Sequence, residues 1–128
     1  MADESTIRET IESYWKAFTE GDRDAWVALF TDDATVEDPV GTPVHSGREA
    51  IGAFFDASHS LADSIELRSL EVTAIVGDEA AFAMEIRPVI GGAAMVLEAI
   101  DVMTFADDGR ITSQRAFWQM ENMRPASD

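Results

Sequence analysis

Residues 94–105 read AMVLEAIDVMTF, and the alternation inside that run sets the fold class. Leu97, Ala99, Asp101, Met103 and Phe105 fall on one side of a period-two pattern. That is the pattern of an extended strand, whose successive side chains point to opposite faces. Ile100 and Val102 lie on the other side and are also apolar, so a sheet built from this strand needs a cover on each face. Working outward, segments 64–76, 79–90 and 110–120 show similar alternation. They are separated by Gly77-Asp78, Gly91-Gly92 and Asp107-Asp108-Gly109, which are turn signals between antiparallel strands.

The first half of the chain has a different period. Ile7, Ile11, Tyr14, Trp15 and Phe18 recur at helical spacing, and Gly21 stands where a helix commonly ends. Asp24 is placed to cap a short second helix carrying Trp26, Leu29 and Phe30. Ser46-Gly47-Arg48-Glu49 has capping-box spacing ahead of a third helix, with Ile51, Phe54 and Phe55 as its buried face. Helices first and an antiparallel meander afterwards predict an α+β fold, with three N-terminal helices packed on one face of a curved antiparallel sheet. The second apolar face, with Ile100 and Val102, predicts a homodimer.

The chain has 128 residues, 46% of them apolar, which suits one domain over residues 1–128 with one core. Its net charge of −16 argues against nucleic acid as a partner. No apolar run is long enough to cross a membrane, and the acidic N-terminus MADESTIRET has no signal-peptide core. A cytoplasmic protein is therefore expected. Cysteine is absent, which excludes disulfides and thiolate chemistry. His45 and His59 lack metal-ligand spacing with each other, and phosphate-loop and dinucleotide motifs are missing. No cofactor and no metal are expected.

Three polar residues occupy positions where the pattern calls for apolar ones. Tyr14 lies on the buried stripe of the first helix, where it could also be an ordinary core tyrosine. Asp38 precedes Pro39, which holds it extended. Alternation then places it inward with Ala34 and Val36, and Glu37 outward. A turn aspartate before proline is the alternative. Asp101 sits mid-strand between Ala99 and Met103 on the inward face. A carboxylate there is costly, so the group should hold a proton and become a hydrogen-bond donor. The alternative is an ion pair with an arginine such as Arg115. One ionised carboxylate and two neutral donors facing an apolar cavity can move a proton beside a carbonyl.

The run FTDDATVEDP at residues 30–39, followed by SGRE at 46–49, resembles the bacterial ketosteroid isomerases, as do AIDVMTF at 99–105 and GRI at 109–111. The similarity extends from about residue 5 to 122. It implies the nuclear-transport-factor-2-like cone, a curved sheet wrapped by three helices and usually dimeric. It also implies that Asp38 is the catalytic base, and that Tyr14 and Asp101 form an oxyanion hole. A steroid pocket would be lined by Phe30, Phe54, Phe55, Met84, Ile86, Leu97, Ala99, Ala116 and Trp118. In the bacterial enzymes a tyrosine at the position of Phe55 hydrogen-bonds the oxyanion-hole tyrosine, and Phe30 replaces a tyrosine of one branch. The network behind Tyr14 is thus expected to be shorter here. A polyketide cyclase, another enone isomerase, or a non-catalytic binder of hydrophobic ligands could share the same fold.

Overall fold

The structure, a computed structural model, describes residues 1–126. Helix α1 (Glu4–Glu20) starts at Asp3, whose carboxylate accepts from the Thr6 N–H at 2.9 Å. It ends at Gly21 in the left-handed region, φ 70°, with the Asp22 N–H donating back to the Ala17 carbonyl at 2.9 Å. Its buried stripe is Ile7, Ile11, Tyr14, Ala17 and Phe18. Helix α2 (Arg23–Val27) is capped by Asp22, which accepts from the Ala25 N–H, and not by Asp24, which lies inside the first turn. Only one turn fits before the chain extends, so Phe30 opens strand β1 (Phe30–Glu37) instead of ending a helix.

After the short β2 (His45–Ser46) comes α3 (Arg48–Ser60). The capping box is not made. Ser46 is drawn into pairing with Thr35 of β1, and Gly47 caps the helix with no side-chain bond. The Ile51 N–H closes the first turn on the Gly47 carbonyl.

The meander follows as β3 (Ser64–Val76), β4 (Glu79–Ile90), β5 (Ala93–Phe105) and β6 (Ile111–Phe117). A 3₁₀ turn (Met120–Asn122) leads to a short β7 (Arg124–Pro125) on β5. The sheet order is β2-β1-β6-β5-β4-β3. Neighbours from β3 to β6 are antiparallel, but β1 runs parallel to β6, with Val36 opposite Gln114. The sheet is therefore mixed. Alternation settles which face a residue takes, whereas strand direction follows from how the chain returns, and β1 joins β6 through no hairpin. A bulge between Ser69 and Val72, with Glu71 at φ 62°, adds twist to β3 where the sheet wraps α1.

The inner face of β5 is buried at Leu97, Ala99, Asp101, Met103 and Phe105, as the alternation requires. The outer face leaves Ile100 53% and Phe117 43% exposed, with Val102 half-buried. The open end of the β5–β6 turn is fastened to α1. Thr10 Oγ1 donates to the Gly109 carbonyl at 2.9 Å, and the Gly109 N–H closes the turn on Ala106.

Gly109 has φ 89°, and a Cβ there would come within 2.5 Å of the Thr6 methyl. Gly109→Ala is expected to cost about 1–3 kcal/mol through backbone strain and overpacking. The urea midpoint should fall with an unchanged slope. An unshifted midpoint would show that α1 does not depend on this approach.

Candidate active site

β6 lies between β1 and β5 in the sheet, so it separates the strands that carry the two aspartates. Asp38 directly follows β1, and the Val40 N–H ties the next turn to the Ala116 carbonyl of β6 at 2.8 Å. Asp101 is opposite Ala116, on the other side of β6. Tyr14 reaches the same place from α1, packed against Trp26 and Phe82 with ring centroids 5.7 and 6.5 Å away. The three sequence candidates are thus brought together by three different elements.

Asp38 is half-buried, and both of its oxygens accept hydrogen bonds. Trp118 Nε1 donates to Oδ1 at 2.6 Å, and Gln114 Nε2 donates to Oδ2 at 3.4 Å. Asp101 is fully buried. Its Oδ2 accepts from Gln114 Nε2 at 2.9 Å and from the Tyr14 hydroxyl at 3.5 Å, while Oδ1 has no partner. Gln114 Nε2 also lies 3.4 Å from the Tyr14 hydroxyl, to which it donates. Arg115 is not available to Asp101. It faces outward and donates to Glu37 at 2.9 Å, which removes the ion-pair alternative.

Burial pushes the Asp101 carboxyl well above its ordinary range, and the nearby charge of Asp38 raises it further. The bonds from Gln114 and Tyr14 oppose that only in part. Asp38 is raised as well, again chiefly by burial, but the bonds from Trp118 and Gln114 and the nearby His45 work against it. Tyr14 is pushed far up by burial and by the two carboxyls, so it stays a neutral donor. Asp101 and Tyr14 are thus pushed towards their neutral forms more strongly than Asp38.

Tyr14 and Asp38 open onto a cavity of about 310 Å³ whose other walls are almost wholly apolar. Phe54, Met84, Ile86, Leu97 and Trp118 line it, as the sequence suggested. Phe30, Phe55, Ala99 and Ala116 do not. They are packed behind the wall, Phe30 against Trp26 at 4.8 Å and Phe55 stacked on His59 at 3.9 Å. Inward parity places a side chain on the core side of the sheet but does not decide whether it is the last layer before the cavity. Asp101 also lies behind the wall, beyond Tyr14.

Sequence reasoning missed Gln114, although it lies two residues before the inward-facing Ala116 and the same parity argument reaches it. It also missed Met120 and Met123, which close one side of the cavity from a turn with no periodicity. Phe55 has no hydroxyl to offer Tyr14, and the donor behind Tyr14 is Gln114 from the opposite side. Among the described residues, no group of three His, Asp or Glu side chains is placed to hold a metal ion.

The SnoaL-like domain family matches residues 11–114. A steroid Delta-isomerase of Nocardioides simplex is 42% identical over 117 residues, covering 91% of this chain and 93% of that protein. Two solved structures overlay along nearly the whole chain. SalBIII is an epoxide hydrolase/cyclase-like enzyme with a role in pyran ring formation in the polyether salinomycin. It has a TM-score of 0.89 and 30% identity, and the overlay covers 98% of this chain and 100% of that one. RV0760c from Mycobacterium tuberculosis has a TM-score of 0.85 and 26% identity, covering 97% and 98%. With this match in sequence and fold, the chain belongs to the steroid Delta-isomerase family within the SnoaL-like, nuclear-transport-factor-2-like superfamily.

Proposed function

We propose that this protein isomerises 3-oxo-Δ5-steroids to conjugated 3-oxo-Δ4-steroids. The observation that carries this is one wall of the apolar cavity, where a carboxylate (Asp38) and a neutral phenol (Tyr14) stand with an uncharged acid (Asp101) directly behind. Asp38 takes a proton from C4, beside the carbonyl. The electron pair moves onto the carbonyl oxygen as a dienolate. Tyr14 and Asp101 donate to that oxygen, each good donor supplying about 3 kcal/mol. Behind the wall, the buried Oδ1 of Asp101 has no hydrogen-bond partner among the described residues, which supports a role as second donor to a substrate oxygen seated against Tyr14. Asp38 then returns the proton to C6. The low polarity of the walls suits a fused-ring hydrocarbon, and their hydrophobic area supplies the binding energy.

The overlay on SalBIII favours a second reading. The same pair could open an epoxide, with Asp38 taking a proton from an attacking hydroxyl and Asp101 giving one to the epoxide oxygen. Incubation with a 3-oxo-Δ5-steroid separates the two, because only the isomerase produces conjugated-enone absorbance. Absence of that product at high enzyme concentration would overturn the steroid reading.

Asp38→Asn keeps the shape but cannot accept a proton. Turnover should collapse by on the order of 10³-fold or more while a phenolic steroid still binds. Near-normal turnover would remove Asp38 from the role of base. In the parent, kcat/KM should fall on the acid side with a midpoint above the ordinary aspartate value of 3.8, because burial raises Asp38 and only its ionised form is a base. Asp101→Asn keeps a donor and should be the milder change. Asp101→Leu should lose on the order of 10²-fold in turnover without unfolding. A Leu variant as active as the parent would deny Asp101 its role.

The exposed outer face, with Ile100, Val102 and Phe117, is proposed as the interface of a homodimer. Arg115 holds its guanidinium over the Phe117 ring, 5.3 Å from the centroid. Sedimentation at micromolar concentration should give a dimer, and Phe117→Glu should shift it to monomer. A parent that sediments as a monomer would refute the interface.

A further inference from the structure

Gln114 takes no step in the reaction above, yet it is fully buried at the centre of the site. Its Nε2 is within 3.4 Å of Asp38 Oδ2, Asp101 Oδ2 and the Tyr14 hydroxyl, while its Oε1 has no partner. An amide nitrogen has two hydrogens, so three acceptors share them. The two carboxyls share one donor, so a proton on either changes the bonding of the other. Asp38 has a donor on each oxygen, Trp118 and Gln114. Asp101 has donors on Oδ2 alone.

Both donors to Asp38 come from one stretch of chain. Gln114 lies on the inward face of β6, and Trp118 stands just past its end. Other groups add little choice. Tyr14 from α1 and His45 from β2 are the remaining titratable neighbours of the pair. Arg115 of β6 is turned outward onto Glu37, His59 of α3 faces the Phe18 and Phe55 carbonyls, and β4 presents Phe82, Met84 and Ile86 inward.

We propose that Gln114 is the positioning residue of this site: its amide, donating to Asp38 Oδ2 and Asp101 Oδ2 together, ties the carboxyl on the cavity wall to the one behind it and gives Asp38 its second donor. The catalytic consequence rests on the isomerase reading, but the hydrogen bonding does not depend on any substrate. When Asp38 takes up a proton, the negative charge moves to the substrate oxygen beside Tyr14. Gln114 already reaches Tyr14 and Asp101, so its hydrogens follow the charge without backbone movement.

The test reads Asp38 directly. In ¹⁵N-labelled parent protein, the Trp118 indole N–H and the Gln114 side-chain amide resonances are followed by NMR against pH. Each is assigned by its loss in Trp118→Phe or Gln114→Met. They should titrate with one shared midpoint, and Asp38→Asn should abolish both titrations. In Gln114→Met the Trp118 midpoint should move up by about one pH unit, because a donor to the carboxylate is lost. The acid limb of kcat/KM should move with it.

Gln114 amide resonances that stay flat while Trp118 titrates would overturn the proposal, and so would an unmoved Trp118 midpoint in a folded Gln114→Met variant. If that variant does not fold, the parent titration decides alone. Shared titration in a protein that does not turn over the steroid would leave the positioning role standing and remove the isomerase reading. Turnover with flat amide resonances would do the reverse.

Discussion

Asp101 sits in the interior with no cation beside it among the described residues, and the site is organised around that one desolvated carboxyl. An ionised group there would lack both water and a counter-charge, so the group keeps its proton. Its neutrality lets Asp38, a short distance away, carry a charge. Burial and the two neighbouring carboxyls together push Tyr14 up, which keeps its hydroxyl a donor. Were Asp101 charged, Asp38 would be pushed further towards its protonated form. The two carboxyls thus differ in setting, Asp38 on the cavity wall and Asp101 fully buried behind it.

The sheet makes that difference in depth possible. β6 between β1 and β5 keeps the aspartates two strands apart while letting one intervening side chain reach both. Asp38, just past the end of β1, reaches the cavity wall, while Asp101 remains mid-strand and accepts from Tyr14 of α1. Helix α1 is held over the sheet partly through the Gly109 turn, so the same packing that closes the core also delivers the Tyr14 hydroxyl. Stability and chemistry draw on the same contacts, which leaves little freedom to alter one without the other.

The cavity shows a division of labour between layers. Phe30 and Phe55, together with Trp26, form an aromatic bed behind the wall. That bed fixes Tyr14 by packing instead of by hydroxyl–hydroxyl bonds. The polar support for Tyr14 comes from the sheet side, through Gln114. The outermost layer, which lines the cavity, includes the adaptable sulfur-bearing side chains of Met84, Met120 and Met123.

The sequence by itself determined the three helices, the four-strand meander after residue 64 and which residues face inward on β5, but not that β1 and β2 come between α2 and α3. Each of these rests on a local period or a local backbone restriction. It also carried the oddity of Asp101, because a carboxyl at an inward strand position is legible from alternation alone. Tertiary structure decided the rest. The parallel pairing of β1 with β6 depends on the path of the whole chain. The choice of Asp22 over Asp24 as cap, and the unused capping box before α3, depend on where the chain must turn to enter the sheet. Which inward residues reach the cavity, and that Gln114 bridges two strands, are fixed by depth and lateral order. Those are distances between segments far apart in sequence, and no periodicity encodes them.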